Sequence, residues 1–287
     1  MSGGGALMRR GGTMEHRRPE DPRSTAELIS ISLRGEPDDE RALDALHLLH
    51  WRGTRDVLEA AAHLLRSPLP HERGRGADIL GQLGIPERTF PEECVRLLLD
   101  LLRREMEPAV LESAATALGF FHDPRAVPAL VKLKAHPDAA VRFGVVQGLS
   151  GQELPEAVAT LIELSGDPDD NIRNWATFEL GTQLETTDTP ELREALLRRV
   201  SDSHEETRGE ALVGLARRKD PRVLEPLVAA LSAPNVLVLA VEAAELLEEP
   251  RLLPVLVELR DRPGEADDYF GQVLDKVIHG YELALTR

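Results

Sequence analysis

The sequence predicts an all-α protein, an α-solenoid wound as a right-handed superhelix of about eight antiparallel helix pairs. Three observations carry that reading. A ten-residue pattern recurs along the chain: an apolar residue, often Arg, two variable positions, usually Ala, three mixed positions, Leu, then a small residue. It stands as RALDALHLLH from Arg41, ERGRGADILG from Glu72, VLESAATALG from Val110, VRFGVVQGLS from Val141, IRNWATFELG from Ile172, TRGEALVGLA from Thr207 and VLVLAVEAAE from Val236. Successive copies start 31, 38, 31, 31, 35 and 29 residues apart, the period of stacked helical repeats. Within a copy, positions one, five and nine (Val110, Ala114 and Leu118) share one face of a 3.6-residue period, and no stretch alternates with period two.

Taken in order, residues 1–23 are Gly-rich and polar and read as a disordered tail. Met8 or Met14 could equally be the true start. Residues 24–264 form the repeat array. Each B helix, the one that carries the pattern, is preceded by an A helix. DPRAVPALVKL from Asp123, DPRVLEPLVAAL from Asp220 and EPRLLPVLVEL from Glu249 are near copies of one another. In these the acid is an N-cap and Pro124, Pro221 or Pro250 takes the first helical position, where a missing N–H costs nothing. Pro128, Pro226 and Pro254 lie further in and should loosen the first turn. Short polar turns such as AHPDAA, SGDPDD and SAPN join A to B. Ala at the fifth position lets a neighbour come close, and Gly119 and Gly181 are expected to end their helices. Residues 265–287 depart from the repeat. Phe270, Val273, Val277, Tyr281 and Leu285 recur every three or four residues, as a capping helix over the last core face would require. At about 8–10 Å per layer the array should be ~70 Å long, with A helices convex and B helices concave.

The unit DPRAVPALVKLKAHPDAAVRFGVVQGLSG resembles the short bacterial HEAT-like repeat, a form also found in phycobilin-lyase subunits, over roughly residues 40–260. The resemblance implies an ARM/HEAT-like solenoid that serves as a binding scaffold, because arrays of this type carry unrelated partners.

Composition narrows the function classes. Thirty-four Lys and Arg against fifty Asp and Glu leave a net charge of −16, which repels phosphate backbones and disfavours nucleic acid. Ten aromatics in 287 residues are too few for a row of base-stacking platforms. The lone Cys94 excludes a disulfide framework and a cysteine zinc cluster, and suits a reducing, cytoplasmic setting. Only four of the basic residues are lysines, a bias expected of a GC-rich bacterial genome. No apolar run is long enough for a membrane span.

Arg73, Arg142, Arg173 and Arg208 occupy the second pattern position. They read as a structural ladder, with Asp138 and Asp169 four residues before Arg142 and Arg173 at ion-pairing distance along the helix start. Pattern positions three, four and seven should line the concave face, and most are small or polar, such as Glu112, Ser113, Thr116, Gly209 and Glu210. Two adjacent repeats instead place Phe143, Gln147, Asn174, Trp175 and Phe178 there, a concentration of aromatics expected of a partner-binding patch. Slight helix rotation would instead turn these rings into core.

His47, His50, His63 and His71 are expected to be partly exposed helix residues without metal. Cys94 is expected to be a buried small residue, and the acid pairs Glu205–Glu206, Glu248–Glu249 and Asp267–Asp268 solvated repeat edges. No phosphate loop, nucleophile elbow or dinucleotide motif occurs, and nothing in the sequence points to a carboxylate whose pKa burial has raised. The expectation is therefore a non-enzymatic scaffold without cofactor that binds a protein or peptide, preferably basic, on the concave face. A bilin-lyase-like role follows only from the repeat resemblance. A HEAT-like DNA glycosylase role, with Glu179 beside Trp175 and Phe178, lacks the basic residues that phosphates need.

Overall fold

The computed structural model describes residues 21–34, 39–262 and 268–285. The rest of the expected tail (1–20) and Asp267 lie outside the described residues. Eight helix pairs follow in order. They are α1 (Thr25–Ser32) with α2 (Glu40–Arg52), α3 (Arg55–Leu64) with α4 (Pro70–Gly81), α5 (Pro91–Arg104) with α6 (Pro108–Gly119), and α7 (Val127–Val131) with α8 (Ala139–Gly148). There follow α9 (Pro155–Leu164) with α10 (Asp170–Phe178), α11 (Pro190–Arg199) with α12 (Glu205–Arg217), α13 (Leu224–Ser232) with α14 (Val238–Leu247), and α15 (Leu253–Arg260) with α16 (Asp268–Leu285). No strand occurs among the described residues.

The helix starts follow local chemistry. Ser24 opens α1 with a capping box, its hydroxyl accepting from the Glu27 N–H while Glu27 reaches back to the Ser24 N–H. Asp39, Asp138 and Asp169 cap α2, α8 and α10 without the reciprocal bond, each side chain accepting one or two backbone N–H groups of the first turn. The three A helices that open on Asp-Pro or Glu-Pro begin with a 3-10 turn over Pro124–Ala126, Pro221–Val223 and Pro250–Leu252. Pro128, Pro226 and Pro254 have no N–H to give to an α-type bond back to that turn, so the tighter geometry stands in for it.

One apolar core runs through the array. Val110, Ala114 and Leu118 are buried, as are Val141, Val145 and Leu149 in the next B helix and Ile172, Ala176 and Leu180 in the one after. B helices touch one another far more extensively than A helices do, so the array closes towards its B side. Small residues permit this approach. A Cβ on Gly119 would sit 2.2 Å from the Gln147 carbonyl oxygen, and one on Gly181 would sit 2.8 Å from that of Glu210. Gly119 is the last residue of α6 as expected, but neither glycine has a left-handed backbone, so they act through close packing rather than as left-handed caps. The left-handed residues that follow B helices are Gly53, Gly84, His122, Gly151, Lys219 and Glu248.

The last helix is the B partner of α15. It buries Leu274, Val277, Ile278 and Tyr281, and the Tyr281 hydroxyl donates to the Ala244 carbonyl at 2.5 Å. Leu285, expected on that face, is exposed and borders a cavity it shares with Glu245, Glu248 and Pro250.

Candidate binding surface

The arginine ladder joins neighbouring repeats along the edge where A turns into B. Arg73 holds Glu105 through Nε (2.7 Å) and Nη2 (2.9 Å). Arg142 holds Asp167 at 2.8 and 2.9 Å, and Arg173 holds Asp202 at 3.1 Å through both nitrogens. In each case Nη1 donates to two carbonyls of the residue's own turn, such as His136 and Pro137 for Arg142. The expected pairing along the helix is therefore corrected. Asp138 and Asp169 are occupied as N-caps, and the carboxylates come from the following repeat. Sequence separations of 25 to 32 residues hid these partners from a helix-spacing argument. Arg208 makes the two carbonyl bonds, to Asp202 and Ser203, and no carboxylate among the described residues bonds it.

On the B side, Phe143, Trp175 and Phe178 come together across two repeats. Trp175 meets Phe143 edge-on at 6.4 Å between ring centres and Phe178 at 5.6 Å, the geometry that aromatic quadrupoles favour. Trp175 keeps 38% of its surface exposed, while Phe143 and Phe178 are half-buried and prop it from either side. Asn174 is half-buried and tied by Thr207 and Glu206 of the next repeat. Gln147 keeps its buried Nε2 without a hydrogen-bond partner, as does the Thr116 hydroxyl one repeat earlier. Both line a 210 Å³ pocket with Arg88, Phe120, His122 and Ser150.

Acids surround this face. Burial pushes the carboxyls of Asp78, Glu112, Glu179, Glu210 and Glu242 above their ordinary range. For Glu179 the Gly151 N–H, which donates to it at 3.1 Å, acts in the opposite sense. The expectation that no carboxylate is shifted by burial is thus corrected. The close approach of B helices takes carboxylates out of water, an effect invisible residue by residue.

A profile of HEAT repeats matches residues 95–181 and 163–248, together more than half of the chain. This chain belongs to the HEAT-repeat family. It is 29% identical over 229 residues to the protein YibA of Escherichia coli (strain K12), covering 76% of this chain and 80% of that one. An X-ray structure of YibA superposes with a TM-score of 0.69 at 24% identity, over 94% of this chain and 99% of that chain. A chain from a structure of Kap95p bound to RanGDP superposes with a TM-score of 0.62 at 16% identity, over 91% of this chain and 41% of its own length. At these identities the two structures speak for the fold alone, and the fold is an α-solenoid.

His50 was expected to be partly exposed and is buried. Its Nε2 lies 3.0 Å from the Asp78 carbonyl, and desolvation lowers its pKa to about 4. His47, His63 and His71 are exposed, and no three metal-ligating side chains converge among the described residues. Cys94 is buried, and desolvation raises its thiol to about 12, far from a reactive thiolate. Glu205 and Glu206 are exposed, Glu248 pairs with Lys219, and Glu249 with Arg251. No helix among the described residues is long and apolar enough to cross a membrane.

Sequence reasoning missed Arg218. After α10 the chain widens into a π turn over Glu179–Gln183. The buried Arg218 guanidinium donates to the carbonyls of Leu180, Gly181, Leu184 and Thr187, and of Gly214 on its own helix. It thereby satisfies the groups that the irregular backbone frees. Its only sequence signal is a charged residue just past the end of a B helix, which says nothing of where it points.

Proposed function

We propose that this HEAT-repeat protein is a non-enzymatic scaffold that binds a basic protein or peptide on its B-helix face, with Trp175 at the centre of the contact. The observation that supports this most is the exposed indole propped by Phe143 and Phe178. A tryptophan held this way offers large contact area at small ordering cost, as interface hot spots do. Gln147 and Asn174, on the same two B helices, are the polar residues this reading adds to the contact. The net charge of −16 and the acids of the same face favour a cationic partner and speed its approach. Kap95p, similar in fold, is recorded with RanGDP, a folded protein of the kind this reading includes. The single buried cysteine suits the reducing cytoplasm.

The test compares wild type with a Trp175→Ala, Phe178→Ala double variant that keeps its helical circular dichroism and cooperative melt. Affinity capture identifies a partner retained by wild type alone, and titration of that purified partner follows the indole fluorescence. The expected result is a shifted Trp175 emission, at least a ~10-fold loss of affinity in the variant, and weaker binding as salt is raised. Equal binding by the two proteins, or turnover of a substrate that needs no partner, would overturn the reading.

A further inference from the structure

We propose that the edge of the array between the sixth and seventh helix pairs receives an acidic side chain of another polypeptide, its carboxylate taken by Arg208. This site is separate from the B-helix face around Trp175. The argument rests on comparing rungs of one ladder. Arg73, Arg142 and Arg173 are anchored identically, with Nη1 on the carbonyls five and six residues back and Nε and Nη2 turned to a carboxylate. Arg208 has the same anchor, at 2.8 Å to the Asp202 carbonyl and 3.0 Å to that of Ser203. Its fork is therefore held in the same attitude, with Nε and Nη2 facing the next repeat.

The carboxylate that should meet it is missing. In the filled rungs the acceptor stands six residues before the next second pattern position: Glu105, Asp167 and Asp202. Before α14 that place falls on Leu231, which is buried, and the turn 233–237 reads Ala-Pro-Asn-Val-Leu, without an acid. Where another rung lacks its acid, at His136, the preceding repeat carries Leu111 in place of the arginine, so neither charge remains. Among the described residues, Arg208 alone keeps the fork without the acid.

The missing group leaves room. A cavity of about 380 Å³ opens beside Arg208, walled by Leu212, Pro226, Ala229, Leu237 and Ala240. Glu205 also reaches this cavity but is exposed and forms no ion pair with Arg208. A guanidinium fork fixed in place by two carbonyls matches a planar carboxylate with two parallel bonds, and little further ordering is required on binding. The three filled rungs also define the occupant. Each acid lies in a turn, and the N–H two residues later bonds the same carboxylate: Glu107 to Glu105, Asp169 to Asp167, and His204 to Asp202. The site thus fits an Asp or Glu that opens a turn.

The chain's own turn Ser-Gly-Asp-Pro-Asp-Asp, which supplies Asp167 to Arg142, provides the probe as an end-blocked hexapeptide. Its titration into the full-length protein is followed through the Nε–H signals of 15N-labelled arginine side chains. The expected result is a saturable shift of the Arg208 signal, with at least ~10-fold weaker binding when the peptide's first Asp is replaced by Asn. Arg208→Met should abolish binding. Ala233→Glu, which offers an internal acid beside the fork, should block it while leaving the guanidinium in place, and covers the case in which Arg208→Met fails to fold. Trp175→Ala should bind the peptide as wild type does. Undiminished binding of the Asn peptide, undiminished binding by Ala233→Glu, or no shift of Arg208 would overturn the proposal. Hexanoate binding as tightly as the peptide would overturn the polypeptide source.

Discussion

Arg173 and Arg208 have the same sequence position and local anchor, and differ in what the next repeat presents. Arg173 is almost fully buried with Asp202, whose carboxyl burial raises but the Arg173 bonds and the His204 N–H lower by more. Removing Arg173 leaves that buried carboxylate with Arg199, at 3.1 Å, as its remaining ion-pair partner among the described residues, short of the full compensation two arginines give. Arg173→Met should therefore cost about 3 kcal/mol in urea unfolding, while Arg208→Met should cost well under about 1 kcal/mol. Equal losses would refute this distinction between filled and open rungs. Proton linkage gives a second residue-scale expectation. Glu105 is held at about 2 by the Arg73 bonds, below its ordinary 4.5, so the unfolded chain takes up its proton first. This contribution is complete above pH 4.5 and is lost as pH falls through about 2. His50, lowered to about 4, acts in the same direction between 6.5 and 4, because the unfolded imidazole charges first. Glu105 and His50 should thus weaken thermal melts from pH 6.5 downward, offset in part by the raised carboxyls of Asp78, Glu112, Glu179, Glu210 and Glu242, which act in the opposite sense. Arg73→Met should flatten the portion below 4.5.

Among the elements, the junction after α10 is the one whose regularity fails. The π turn over Glu179–Gln183 sits immediately beyond Phe178 and is closed by Arg218. Buried carbonyls left without donors cost about 1–3 kcal/mol each unless water enters. Arg218→Met should accordingly lower stability by more than about 3 kcal/mol, and the loosened turn should change the Trp175 fluorescence of the still-folded protein. A variant with unaltered stability and emission would mean that the turn holds without its arginine. At this scale the helices themselves were legible, since Asp caps, leading prolines and the one-five-nine apolar spacing act within a single turn. The π turn was not, because its donor lies 34 to 38 residues from the carbonyls it serves.

At the scale of the whole molecule, a stacked array needs its last apolar face covered. Here α16 does this through Leu274, Val277, Ile278 and Tyr281. A chain ending at residue 262 should melt at lower temperature and self-associate in sedimentation velocity, through the uncovered face of α14 and α15. A monomeric truncation with the wild-type melt would show that α16 is dispensable to the core.

The sequence by itself determined the repeat, the order of A and B helices, their caps and the concentration of aromatics at Phe143, Trp175 and Phe178. Those properties depend on residues within a helical turn or on a periodic pattern, and short-range sterics and hydrogen bonding decide them. Tertiary structure alone decided which acid each arginine holds, that Trp175 stays exposed while His50 does not, and which carboxylates burial raises. It also decided that Gly119 and Gly181 serve contact between helices and that one rung stands open at Arg208. Each depends on the distance between neighbouring repeats, which the packing of every side chain in the shared core sets jointly.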